Sequence, residues 1–163
     1  MSEDRLLDLE ARLRRLEDEN DVASLVARYG PLVDTGNPAA AALWLEDGVY
    51  DVDELLMDGA EAVASMVQSH PHQAFVAAGC AHFQGPVDVV VRGDEAEAIG
   101  YSLMLVHDED SFRLRRVTAN HWHLRRTPDG WRVARRTSRK LDGSDAAREV
   151  LSRATSLADE NPL

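Results

Sequence analysis

The chain has 163 residues and a formal net charge of -11 at pH 7; 44% of its residues are hydrophobic and 29% are charged. This is the composition of a globular chain long enough to bury a core, and its acidity argues against binding to nucleic acid or to an anionic membrane surface. The single cysteine, Cys80, excludes an internal disulfide and a multi-cysteine zinc site. No apolar run approaches the roughly 18 residues of a membrane span, and the charged N-terminus lacks a signal-peptide core, so we expect a cytoplasmic protein.

The beginning of the chain has helical periodicity. Apolar residues recur every three or four positions between residues 3 and 34, among acidic and basic ones, which predicts a helix. Asn20-Asp21 could divide it into two helices, and residues 1–20 are predicted to form a helical extension. Pro31 weakens the last turn. The apolar residues of this pattern are Leu6, Leu9, Leu13, Leu16, Val22, Leu25, Val26 and Tyr29.

Three shorter elements are predicted next. Residues 38–48 favour a short helix that ends at Gly48, and residues 49–59 favour a short strand and hairpin. Residues 59–71 have the pattern of a third helix, closed by Pro71.

The remaining chain changes to a period of two, which is typical of strands. Turn signals at Gly93-Asp94, Glu109-Asp110 and 128–130 separate long runs of this kind. A helical pattern resumes at residues 144–163. We therefore expect a single α+β domain over residues 1–163, with helices followed by a long-stranded antiparallel sheet. The predicted strands are 82–94, 95–110, 112–130 and 131–141.

Asp34 lies where the first helix ends, although a helix C-terminus is already negative and disfavours a carboxylate. One interpretation is a local turn with Thr35 and Gly36. The other is a basic partner from elsewhere in the fold. The candidate partners are the histidines His70, His72, His82, His107, His121 and His123.

His82 lies at the entry to the first long strand, between small residues and an apolar run. A histidine facing a pocket can act as a general base near neutral pH, and it works best when a carboxylate holds its other ring nitrogen. Asp34 is suited to that role. A histidine satisfied in the core or at the surface is the alternative, and the spacing by itself does not decide between them.

Four stretches of the chain, spread over residues 21–143, resemble the SnoaL-like, or scytalone-dehydratase-like, group of the nuclear-transport-factor-2-like (NTF2-like) superfamily. The resemblance implies a cone-shaped α+β barrel whose helices pack in a strongly curved mixed or antiparallel sheet, with a pocket at the wide end. Several dehydratases and a dehydrochlorinase of this fold use an Asp on the first helix and a His at the start of a strand. Asp34 and His82 occupy the matching positions. The stretches are DVASLVARYGPLVDTGN, ALWLEDGVYDVD, GCAHFQGPVDVVVRGDEAEAIGYSLML and ANHWHLRRTPDGWRVARRTSRKLDG.

Strand parity suggests further pocket residues. Thr118, Asn120, Trp122 and Leu124 share one face of a strand, and the apolar members of this set mark that face as inward. Asn120 then either contacts a substrate oxygen or is a buried amide bonded to the backbone. Tyr29 and Tyr50 either donate hydrogen bonds to an enolate-like transition state, as wall tyrosines do in dehydratases of the fold, or simply pack. We predict that the substrate-binding residues are Tyr29, Tyr50, Asn120 and Trp122.

Two further patterns are not expected to carry chemistry. The pairs His70/His72 and His121/His123 have metal-ligand spacing, but metal sites of this kind usually need a carboxylate or a further histidine in register, and His121 and His123 lie on the face assigned outward. Neither a metal nor another cofactor is therefore predicted. Cys80 lacks any sign of an oxyanion hole, so we interpret it as a small buried residue.

Basic residues are concentrated between positions 113 and 140. On alternating strands such a run normally lies on the solvated face, where it could meet the acidic N-terminal helix of a neighbouring subunit. We therefore expect a homo-oligomer, a dimer or a trimer, and no nucleic-acid partner. The residues are Arg113, Arg115, Arg116, Arg125, Arg126, Arg132, Arg135, Arg136, Arg139 and Lys140.

The leading functional hypothesis is a cofactor-free lyase or isomerase acting on a small hydrophobic ring compound, such as a steroid or a polyketide-like molecule. His82 is its general base or acid and Asp34 orients the ring. Two alternatives stay open: a non-catalytic ligand-binding or assembly module of the same fold, and a polyketide cyclase that uses Asp34 alone.

Overall fold

A computed structural model describes residues 2–160 of the chain, with side chains up to residue 154. Four helices, a short 3₁₀ helix and six strands follow one another in an α+β order. Their bounds are α1 Glu3–Asp34, the 3₁₀ helix Pro38–Leu43, β1 Trp44–Val52, β2 Leu55–Asp58, α2 Ala60–Gln68, α3 His70–Ala78, β3 Cys80–Arg92, β4 Glu95–Asp108, β5 Ser111–Thr127, β6 Gly130–Lys140 and α4 Asp145–Glu160.

The six strands form one mixed sheet in the order β2-β1-β6-β5-β4-β3. β1 is parallel to β6, and the other neighbours are antiparallel. The long strands turn where the sequence predicted: Gly93, Glu109 and Gly130 all have positive φ, which a tight reversal between strands favours. The predicted cone of helices and a curved mixed sheet is confirmed.

The core lies between the inner face of the sheet and the second half of α1, together with α2. Val22, Val26 and Val33 of α1 are fully or almost fully buried there, against Trp122 and Leu124 of β5. On the outer face of the sheet, α4 packs on Ala119, where Ala147 and Val150 are buried. The apolar residues that recur every three or four positions along α1 therefore face the core from Val22 onward. α1 is continuous across Asn20-Asp21.

Two helix boundaries were predicted wrongly. The helix predicted over residues 38–48 stops at Leu43, and β1 begins at Trp44, because that segment pairs with β2 and β6. Pro71 does not close a helix. It lies in the first turn of α3, where its missing N–H would have had no partner, and the Ser69 hydroxyl caps the helix by accepting from His72 N–H.

The predicted C-terminal helix is α4, and the last three residues of its predicted range lie outside the described residues, as does residue 1. Among residues 2–160 there is no helix with the length and apolar character needed to cross a bilayer.

Candidate active site

The last turn of α1 approaches the start of β3 at backbone distance. A Cβ placed on Gly30 would lie 2.1 Å from the carbonyl oxygen of His82, so the helix and the strand can cross this closely only with glycine at this position. Asp34 lies one turn further along the same helix. The close crossing therefore brings its carboxylate beside His82.

Asp34 binds both the main chain and the ring of His82. Its Oδ2 accepts the His82 backbone N–H at 2.8 Å, and its Oδ1 lies 2.6 Å from His82 Nδ1. An ionised carboxylate only accepts hydrogen bonds, so Nδ1 carries the proton and Nε2 is left as the basic nitrogen. In the described part of the chain, Nε2 of His82 has no hydrogen-bond partner.

The pKa of Asp34 is lowered as the balance of opposing effects. Burial raises it, but the hydrogen bonds from the His82 ring and backbone, the His82 charge and the Cys80 thiol outweigh burial. Cys80 Sγ donates to Asp34 Oδ1 at 3.4 Å. Burial and the neighbouring carboxylate raise the pKa of this thiol to about 12, so Cys80 remains a protonated donor and not a nucleophile.

His72 supports the pair from α3. Its Nε2 lies 2.9 Å from the carbonyl oxygen of Val33, next to Asp34, and its ring packs on the His82 ring with 5.6 Å between centroids. His72 is buried. His72 is one of the candidate histidines named from the sequence, but no sequence pattern separates it from the others, because Pro71 predicts a helix end and not the first turn of α3.

A cavity of about 180 Å³ opens beside His82. Its wall is mostly apolar, with a few polar groups, which is the usual make-up of a small-molecule site. Of the predicted site residues, His82, Tyr29 and Tyr50 line it; Asp34, Asn120 and Trp122 are not part of its wall. The other lining residues are Val52, Leu55, Met57, Met66, Gln84, Ser102, Leu103, Met104, Arg116, Thr118, Arg136 and Ser138.

Arg136 is a buried cation at this cavity, with only 2% of its surface exposed. Across the sheet it lies in one row between Tyr50 of β1 and Trp122 of β5. Its guanidinium carbon lies 4.1 Å from the Trp122 ring centroid, 4.4 Å from that of Tyr29 and 4.6 Å from that of Tyr50. Three aromatic faces thus hold a positive charge that has little access to water.

Asn120 supplies the acceptor for Arg136. Its Oδ1 accepts from Arg136 Nε and Nη2 at 3.2 and 2.9 Å and from the Ser138 hydroxyl, while its Nδ2 donates to Ser102 and Thr118. Asn120 is therefore a buried amide bonded mainly to side chains. Among the described residues, Arg136 Nη1 has no hydrogen-bond partner.

Arg136 was assigned to a solvated basic face, and that prediction is wrong. The buried residues of β6 are first Trp131 and Val133, and then Arg136 and Ser138. The side chains that face inward therefore change from odd-numbered to even-numbered positions within the strand. The change occurs at Ala134, where the pairing of β5 with β6 slips by one residue. A β-bulge of this kind turns the following side chains to the other face, and strict alternation cannot predict it.

The other basic residues mostly meet acidic groups of the same chain. Arg116, at the cavity wall, pairs with Asp53 at 2.5 Å, and Arg139 pairs with Asp51 at 2.7 Å. Arg126 binds Asp18 of α1. The contact between the basic run and an acidic N-terminal helix is therefore present within one chain.

The side chains of Asp34, Cys80 and His82 offer three metal-ligand atoms within 4.8 Å of one another. In this arrangement Nδ1 of His82 and Sγ of Cys80 both direct protons at the carboxylate, so an ion would have to displace them. The site is thus arranged as a proton network. His121 and His123 lie elsewhere, 3.5 and 2.5 Å from glutamates of β4.

Comparison with known proteins agrees with this architecture. The sequence matches the family model of the SnoaL-like domain over residues 14–137. It is similar to the crystal structure of an NTF2-like protein with a cystatin-like fold from Novosphingobium aromaticivorans, with 46% identity, 92% of this chain and 99% of that chain covered, and a TM-score of 0.89. No curated protein matches the sequence.

Two more distant structures share the fold. One is a protein of unknown function from Mycobacterium tuberculosis, with 17% identity, 95% and 93% of the two chains covered, and a TM-score of 0.67. The other is a protein from Catenulispora acidiphila in complex with S-DNPA, with 19% identity, 78% and 96% covered, and a TM-score of 0.67. Since the family model spans most of the sequence and a close structural relative is almost fully covered, this chain belongs to the SnoaL-like family of the NTF2-like superfamily.

Proposed function

We propose that this protein is a cofactor-independent lyase or isomerase that acts on a small, mostly apolar ring compound with a carbonyl group, such as a steroid or a polyketide-like molecule. One observation carries the proposal: Asp34 holds Nδ1 of His82 at 2.6 Å, and the ring of His82 lines an apolar cavity. This arrangement presents a basic nitrogen to a bound molecule and stabilises the imidazolium that forms on it.

In the proposed reaction, His82 Nε2 removes a proton from the carbon next to the carbonyl, and the C–H electron pair forms an enolate. In a dehydration, the enolate electrons form the carbon–carbon double bond and expel a β-hydroxyl group, which takes the proton from the His82 imidazolium and leaves as water. In an isomerisation, the imidazolium returns the proton to another carbon. Both versions need one proton carrier and no external reactant.

Arg136 and Tyr29 would stabilise the enolate oxygen. A fixed positive charge in a dry, aromatic surrounding acts strongly on developing negative charge, because little solvent screens it. Burial raises the pKa of Tyr29, so its hydroxyl stays protonated as a hydrogen-bond donor. Arg136 also has an unpartnered N–H group among the described residues, which suits it to an oxyanion.

The cyclase alternative, with Asp34 acting directly on substrate, receives less support. Both carboxylate oxygens of Asp34 are engaged by His82 and Cys80, and Asp34 is not part of the cavity wall. The non-catalytic binding module is the alternative that an activity test has to separate from the lyase or isomerase.

The test uses a panel of β-hydroxy ketones on steroid and fused aromatic-ring frameworks, incubated with the protein in D₂O and followed by NMR. We expect enone formation, or deuterium uptake next to the carbonyl, for at least one compound. His82→Ala should lower that rate roughly 10²–10⁴-fold, with a thermal midpoint within a few degrees of wild type, whereas the exposed His70→Ala control should leave it unchanged. An undiminished rate in His82→Ala would remove the dyad from the proposal. Binding without exchange or elimination across the panel would favour the binding module.

A further inference from the structure

The N-terminal half of α1 extends away from the globular body. Every described side chain from residue 2 to residue 17 is exposed, and the first buried side chain of the helix is Val22. At 1.5 Å per residue, this projecting segment is about 22 Å long. A helix of roughly 15 residues without tertiary packing is marginal in water. Such a segment is expected to gain stability from a partner.

Leucines form a continuous stripe along the projecting segment. Leu6, Leu9, Leu13 and Leu16 are separated by three, four and three residues, which are the a and d positions of two heptads. They are exposed by 45%, 43%, 56% and 58% of their surface. We call these four residues the leucine seam.

The leucine seam faces away from the protein's own body. At 100° per residue, it lies about 140° around the helix from the buried stripe of Val22, Val26 and Val33. Asp18, on the side of the buried stripe, fixes the helix to the sheet through Arg126. The seam therefore cannot fold back onto this domain while α1 keeps its buried contacts.

The charges that flank the seam identify the partner and its direction. With Leu6 and Leu13 at a, the g positions hold Arg5 and Arg12, and the e positions hold Glu10 and Glu17. In a parallel pair of identical helices, each g residue faces e of the next heptad in the partner, so Arg5 meets Glu10 and Arg12 meets Glu17. An antiparallel pair would place arginine against arginine and glutamate against glutamate.

We propose that the leucine seam forms a parallel coiled coil with a second copy of this chain. Asn20, which is exposed, occupies the next a position, where an Asn pair favours a parallel two-stranded arrangement in register. This contact brings two complete domains together without using the cavity beside His82. It does not depend on the proposed function.

Sedimentation equilibrium of the full chain tests the contact with two matched variants. Leu13→Glu places a charge in the seam, whereas Leu7→Glu makes the same change at a leucine of equal exposure, 56%, outside the seam. We expect a wild-type dimer, a similar dimer for Leu7→Glu, and dimerisation at least about 100-fold weaker for Leu13→Glu. Both leucines are exposed, so circular dichroism should show a folded protein in each case. A monomeric wild type, or equal effects of the two variants, would overturn the proposal.

The direction of the coiled coil has its own readout. Ser2 lies at a d position, one heptad before Leu9. In a parallel dimer, the Ser2→Cys variant should therefore form a disulfide between the two copies when it is oxidised. The wild type, whose single cysteine is Cys80, is the control. Raising the salt concentration should weaken a parallel dimer, because it screens the Arg–Glu pairs. Absence of the Ser2→Cys cross-link, or a dimer strengthened by salt, would exclude the parallel arrangement.

Discussion

Asp34 connects the end of a helix to a strand 48 residues later through a backbone bond and a ring bond. A carboxylate at a helix C-terminus is disfavoured by the helix dipole, and here three donors compensate for it. The same contacts that hold Asp34 in its ionised form also fix the tautomer of His82. At the residue scale, one carboxylate therefore links stability to the proposed chemistry.

Asp34→Asn should separate these two contributions. The folded-state pKa of Asp34 is below its ordinary value of 3.8, so the stabilisation by its charge is complete above that value and is lost as the pH falls through the folded-state pKa. The variant should therefore unfold more easily than wild type at pH 7, and the difference should shrink below about pH 4. Urea unfolding between pH 2.5 and 7 measures this, with the exposed Asp88→Asn as control. A difference that does not change with pH would contradict the role of the charge.

The crossing of α1 and β3 determines the geometry of the site at the scale of elements. Asp34 and His82 belong to different elements, and their distance is set by how closely the helix packs on the strand. At Gly30 there is no room for a side chain, and the neighbouring atom is a backbone oxygen of His82 that cannot rotate away. The contact between Asp34 and His82 thus depends on a glycine that has no side chain of its own.

Gly30→Ala should push α1 away from β3 and lengthen the Asp34–His82 hydrogen bond. We expect a loss of about 1–3 kcal/mol in the free energy of unfolding, although alanine favours a helix more than glycine does. The rate of the proposed elimination or isomerisation should fall as well, because the Asp34–His82 hydrogen bond is longer. Arg28→Ala, at an exposed position of the same turn, is the control for a change in helix propensity. Chemical denaturation checks this, and a Gly30→Ala variant more stable than wild type would show that the crossing is not tight.

At the scale of the whole molecule, a clamp joins the start of the chain to the turn between β5 and β6. Arg126 binds both carboxylate oxygens of Asp18, at 2.6 and 2.7 Å, and its guanidinium lies 4.4 Å from the Trp131 ring centroid. Trp131 Nε1 donates to the same carboxylate at 3.3 Å. This clamp sets the direction in which the projecting part of α1 leaves the body.

Arg126→Met should release that part of α1 while leaving the core intact. Because Arg126 is partly exposed, we expect a loss of only about 0.5–1 kcal/mol in global stability. Amide hydrogen exchange over residues 10–20 should become faster than in wild type. Arg125→Met, which removes an exposed arginine that pairs with Glu95, is the control. Unchanged exchange in Arg126→Met would show that the clamp does not hold the helix.

Local patterns in the sequence were sufficient for much of this fold. The 3.6-residue period of α1, the alternation of the long strands and the turns at Gly93, Glu109 and Gly130 depend on neighbouring residues, and they appear in the structure as predicted. The positions of Asp34 and His82 came from the resemblance to the SnoaL-like family. The sequence carries these features because each is encoded within a few residues or in a family motif.

Tertiary structure decided the rest. β1 begins at Trp44 because β2 and β6 are there to pair with it. Arg136 faces the cavity because the bulge at Ala134 reverses the parity of β6 against β5, and its guanidinium lies there among three rings from three other elements. These outcomes depend on contacts between residues far apart in the chain, and neither periodicity nor propensity in one segment reports such contacts.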